Sequence, residues 1–196
     1  MFGLKPVFYR HVGTAVWRLR LMLVLWRGKP ASVLACVGDW LQAQPDHPHA
    51  LATQAHWLAQ TNEPEAAVQV LQRLLVLQPH VAVHWFNAGF VFQGLGQWRS
   101  AQSHLEVATQ LDPMLDRAWY GLGVVRIALG DRWGAEQALR RNTELQPMNP
   151  LAWYQLAHLH LECGEHQQAW ALLNHLRGFE PRLARQLERE WGGQVA

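Results

Sequence analysis

Eleven histidines and two cysteines are the residues of this 196-residue chain best suited to hold a metal or activate a nucleophile, so their spacing decides which chemistry is open. His80 and His84 have the i, i+4 spacing of two ligands on one helix face. However, His80 follows Pro79 in a turn, and no glutamate stands between them as a zinc-protease helix requires. His158 and His160 are two apart, which turns them to different faces of a helix. His158, Glu162 and His166 share a helical stripe only if the helix runs through Gly164, where a turn is expected. His47 and His49 flank Pro48 with only Asp46 nearby, short of a four-ligand set. Packing is the simpler reading of every histidine. No Cys-x-x-Cys, phosphate loop or Gly-x-Ser-x-Gly occurs. The residues point to no enzyme, no metal and no cofactor.

Cys36 and Cys163 stand far apart in the chain, beyond the short reach of a disulfide if the fold is elongated. They read as buried small apolar residues in a reducing compartment. The run Val33-Leu34-Ala35-Cys36 resembles a lipoprotein cleavage site, but Arg27, Lys29 and Pro30 interrupt any apolar signal core before it. With no long apolar span either, the expectation is a cytoplasmic protein, with the inner face of a membrane as the peripheral alternative. Trp17-Arg18-Leu19-Arg20 alternates aromatic and basic residues in a way that could stack nucleic-acid bases, but packing explains it more simply and the chain beyond residue 30 is net acidic. Nucleic acid is not an expected partner.

The elements that must position any site announce themselves by period. Pro45, Pro79, Pro113, Pro147 and Pro181 are each 34 residues apart. Gly28, Asn62, Gly96, Gly130 and Gly164 keep the same interval, as do Ala67, Ala101, Ala135 and Ala169. Trp17, Trp85, Trp119 and Trp153 share another phase, with Leu51 in the missing slot. Such a period marks stacked helical hairpins. Within each unit, Ala55, Gly89, Gly123 and Ala157 fall on the first helix where the second should cross closely. The glycines and Asn62 fall at the turn between the helices, where a left-handed backbone is expected. The phased tryptophans read as wedges in the core, Trp98 and Trp133 as side chains packed between repeats, and Trp191 as packing back from a short last helix.

The pattern resembles the tetratricopeptide-repeat family. Trp85, Ala88, Gly89, Phe92, Gly96, Ala101, Leu105, Ala108 and Pro113 fill that family's slots in the third unit. Trp119, Leu122, Gly123, Gly130, Ala135, Leu139 and Pro147 fill them in the fourth, and Trp153, Leu156, Ala157, Gly164, Ala169, Leu173 and Pro181 in the fifth. The resemblance divides the chain into a basic, apolar segment 1–13, a solenoid 14–183 and a capping helix and tail 184–196. Its repeats are 14–47, 48–81, 82–115, 116–149 and 150–183, the first degenerate because Leu21 and Val33 occupy small-residue slots. The implied fold is an all-α solenoid of hairpins in a right-handed superhelix, and the implied function is non-enzymatic binding of protein partners.

The family's concave surface is lined by the first helix of each repeat. By that resemblance the lining here is His56, Phe86, Asn87, Phe90, Gln93, Arg117, Tyr120, Val124, Tyr154, Gln155 and His158. The chaperone-binding subfamily clamps a terminal carboxylate from slots held here by Ala52, His56, Asn87, Arg117 and Gly121, of which only Asn87 and Arg117 suit the task. An aromatic floor with amide sides remains, which suits an apolar or amphipathic segment of a partner. A secretion-type chaperone holding an apolar client is a second reading.

Charge supplies a third. Residues 1–30 contain Lys5, Arg10, Arg18, Arg20, Arg27 and Lys29 and no acid. In the same stretch TAVWRLRLMLVLW is apolar nearly all round. Val16, Leu19, Leu23 and Trp26 form one stripe, and Trp17, Leu21 and Val24 lie opposite. One stripe can pack on the next repeat. The other needs residues 1–13 folded back as a cap, a protein partner, or an anionic membrane surface, where the protein would act as a peripheral assembly factor.

Overall fold

A computed structural model describes residues 13–192, and among these the chain is eleven α-helices without a strand. The chain forms two compact units that divide after Gly96. The first contains α1 (Thr14–Arg27), α2 (Pro30–Ala43), α3 (Pro48–Gln60), α4 (Pro64–Leu77) and α5 (Ala82–Gly94). The second contains α6 (Trp98–Leu111), α7 (Asp116–Ala128), α8 (Arg132–Leu145), α9 (Pro150–Glu162), α10 (His166–Phe179) and α11 (Pro181–Gly192). Within each unit successive helices pack on one another, and α3 also touches α5 as α9 touches α11.

The punctuation follows from residue type. Proline opens α2, α3, α4, α9 and α11, at the position where a missing N–H costs nothing. Asn62, at φ 64°, holds the left-handed turn that Gly96, Gly130 and Gly164 hold elsewhere. The tryptophans do more than wedge. The indole N–H of Trp85 donates to the Pro79 carbonyl at 2.7 Å, Trp119 to Pro113 at 2.9 Å, and Trp153 to Pro147 at 2.7 Å. Each bond spans six residues and ties the start of one helix to the turn before it. The proline and tryptophan phases are thus two halves of one contact, which satisfies a carbonyl just beyond a helix end.

The cores are built from the small and branched positions. Gly123 lets α7 close onto α8, since a Cβ there would lie 2.6 Å from Leu139 Cγ. In the first hairpin the same slot holds Leu21, and the core instead gathers Trp17, Leu21, Val33, Cys36, Val37 and Trp40, with Trp17 and Trp40 stacked at 6.1 Å. Asn142 is fully buried where the neighbouring repeats have Ala108 and Leu176. Its amide donates to the Asp116 carbonyl and accepts from Asn149, both at 2.7 Å, and Asn149 in turn caps α9 at the Leu151 N–H. Both polar ends of Asn142 are thereby satisfied.

Two expectations are corrected. Trp133 does not pack between repeats: on the first turn of α8 it is 75% exposed, whereas Trp98 on the first turn of α6 is 37% exposed. Cys163 is not buried; it follows α9 at an exposed helix end, and Arg132 contacts its sulfur at 3.2 Å. Cys36 is buried, and burial pushes its thiol above the usual value.

Candidate functional site

The residues assigned to partner binding fall on α3, α5, α7 and α9, and each unit carries part of them. In the first unit, His56 on α3 and Asn87 and Phe90 on α5 line a hollow of about 60 Å³ floored by Ala55, Leu71 and Val91. Ala55 matters here: a larger residue at that position would fill the hollow. Phe90 is 59% exposed, with the ring of Phe86 at 6.3 Å. Gln60 joins this rim; it lies one turn beyond His56 on α3. Gln93 is half-buried on the last turn of α5.

In the second unit the polar tips are engaged internally. Tyr120 is half-buried against Leu139, Ala152 and Leu156. Burial pushes its phenol up, and a hydrogen bond with Gln155 opposes that. Tyr154 donates to Glu190 of α11 at 2.5 Å, which spends a hydroxyl expected to face a partner. Burial first, then that carboxylate, pushes the Tyr154 phenol up to about 12, while the same bond holds Glu190 below its usual value. His158 stacks on the Tyr154 ring at 6.2 Å and lies 3.5 Å from Glu162. Arg117 is exposed on the first turn of α7, and Val124 is half-buried near its end.

Lys5 and Arg10 lie outside the described residues, as does the Arg27 side chain. Arg18 and Lys29 are exposed. Arg20 pairs with Asp39 at 2.8 Å and sits over the Trp17 ring at 5.5 Å. Leu23 and Trp26 are exposed, Trp26 to 86%.

Among the described residues no three His, Cys, Asp or Glu side chains are placed to share a metal ion. His84 meets Gln78 at 2.9 Å, and burial holds its imidazole below the usual value. His160 is buried, with Nδ1 at 2.5 Å from Glu165 and Nε2 at 3.6 Å from Glu136. A larger cleft that the repeat pattern does not mark opens between α10 and α11, about 590 Å³, where Trp170 and Trp191 meet edge to face at 5.0 Å beside His166.

No family model matches the chain. No curated protein matches it either. Solved structures do. MamA from residue 41 to its end, from Desulfovibrio magneticus RS-1, is 22% identical at a TM-score of 0.80, covering 85% of this chain and 94% of that one. PilF of Pseudomonas aeruginosa is 19% identical at 0.75, covering 97% and 91%. YrrB, described as a TPR protein with an unusual peptide-binding site, is 16% identical at 0.75, covering 88% and 90%. At such identities the likeness is one of fold. Together with helices that pack in sequence within each unit and turn at 34-residue intervals, it shows that this chain has the all-α solenoid fold of the tetratricopeptide repeat.

Proposed function

We propose that the protein is a non-enzymatic scaffold that captures an apolar or amphipathic segment of a partner protein, anchored in the hollow between α3 and α5. The observation that carries this is Phe90, a large aromatic side chain left mostly in solvent at the mouth of a hollow whose rim offers an imidazole and two amides. An apolar side chain of the partner would fill the hollow against Phe90 and Val91, while Asn87 and Gln60 hold its backbone. The similarity to YrrB adds support, since that protein is described as having a peptide-binding site. The half-buried tyrosines of the second unit serve this surface less directly, because Tyr154 is already bonded to α11.

The test is cross-linking and pull-down from the native cell with Phe90→Ala, Asn87→Ala and the unaltered chain. Phe90→Ala should weaken capture by about thirtyfold, corresponding to the ~2 kcal/mol of an aromatic anchor, with the circular dichroism spectrum unchanged. Undiminished capture by that variant would refute the assignment. A client released within seconds, in place of a complex that survives purification, would favour the secretion-chaperone reading.

A further inference from the structure

We infer that the outer face of α1 is a docking surface for an anionic lipid bilayer, on which the helix lies in the plane of the headgroups. The surface is separate from the hollow between α3 and α5 and stands whatever that hollow binds. α1 uses one stripe for folding: Trp17 and Leu21 are buried in the first hairpin's core, and Val24 packs against it. Val16, Leu19, Met22, Leu23 and Trp26 form a second stripe, and each is more than half exposed. Wrapped at about 100° per residue, these five fall within one arc of roughly 120°. Arg18 borders the arc on one side and Arg20, paired with Asp39, on the other, and exposed Lys29 follows the helix end. A water-facing helix surface has no use for five large apolar side chains in a row.

Charge selects the occupant. Residues 1–30 hold six basic side chains and no acid. A second copy of α1 laid on this face would set basic against basic. Residues 1–12, brought back over it, would add Lys5 and Arg10 to the same excess. An anionic surface reverses the sign of that term, each cation close to it adding attraction. The shape agrees: the face is a convex ridge of one helix about 21 Å long, suited to sink into a deformable apolar layer. Trp26 at its end is of the type that settles at headgroup level, and long arginine stems let their charges stay with the phosphates while the stripe is buried. No helix among the described residues is long and apolar enough to cross a membrane, so the mode is lying on the surface.

The experiment is flotation of the full chain with vesicles of phosphatidylcholine alone or of phosphatidylcholine and phosphatidylglycerol in equal parts. The chain should float with the anionic vesicles only, and should release when salt is raised from about 0.1 M to about 1 M, as the Debye length falls from roughly 10 Å to roughly 3 Å. Leu19→Glu combined with Leu23→Glu should lower partitioning at least tenfold, as expected for two lost apolar anchors, and Arg18→Glu with Lys29→Glu should do the same through charge alone. Any of three results overturns the inference: no flotation with either vesicle, equal flotation with neutral vesicles, or full flotation of the Leu19/Leu23 variant. Light scattering of the vesicle-free chain covers the remaining occupant, because a dimer that the same double variant dissociates would make this face a protein interface.

Discussion

The first and last described helices, α1 and α11, share one task and differ in everything else. Each turns an apolar stripe to its neighbours: Trp17 and Leu21 from α1, Ala184 and Leu187 from α11. Beyond that stripe α11 is polar, with Arg182, Arg185 and Arg189 in water, and Tyr154 and Arg177 tied to its Glu190 and Glu188. α1 instead repeats the apolar pattern on its outer side. The contrast separates what folding requires from what it does not. One stripe suffices to seal the end hairpin, and the second stripe of α1, exposed, is the one that the proposed docking surface uses.

Breaking the seal should have the largest effect. Leu187 is fully buried among Ala184, Leu173 and Leu176. Leu187→Ala should cost about 2–5 kcal/mol in denaturant unfolding, through lost burial and the cavity left behind. A change near zero would mean that α11 seals nothing.

A second effect sharpens the contrast between a tight hairpin and a loose one. Gly123→Ala would push a methyl into Leu139 at the α7–α8 crossing and should cost about 1–3 kcal/mol. The first hairpin, with Leu21 in the same slot, is already built apart and has no such crossing to block. An unchanged denaturation midpoint for Gly123→Ala would contradict the close approach.

The smallest loss is one hydrogen bond. Trp153→Phe keeps most of a ring and removes the N–H that holds the Pro147 carbonyl, which should cost about 0.5–1.5 kcal/mol in thermal unfolding. The second hairpin, with Leu51 at this place, already does without that bond. Stability equal to that of the unaltered chain would leave the tryptophan phase with packing as its only reason.

Much of this was legible in the residues. Asn62 and the phased glycines mark left-handed turns because few residues tolerate that backbone, and the structure places all of them there. The two stripes of α1 are legible because helical geometry alone sorts Trp17 and Leu21 from Leu19 and Trp26. The Trp-to-Pro bonds were half visible: two phases with one period show that both residues recur, but not that they touch. The bond from Tyr154 to Glu190 was hidden, because α11 begins at Pro181 itself, where the other repeats place a turn after the proline. The same shift conceals the Trp170–Trp191 cleft. Trp133 is exposed because helical geometry turns it away from the face of α8 that buries Ala135, Ala138, Leu139 and Asn142.

The most direct test of the difference between the two ends needs no partner. Thermal unfolding of Leu19→Glu with Leu23→Glu, measured beside the unaltered chain, asks whether the outer stripe of α1 takes part in folding. The expected result is a melting curve that coincides with the original, within the ~0.5 kcal/mol typical of exposed positions. A loss of about 2 kcal/mol or more would contradict the account, because it would show that the chain's own residues cover that face.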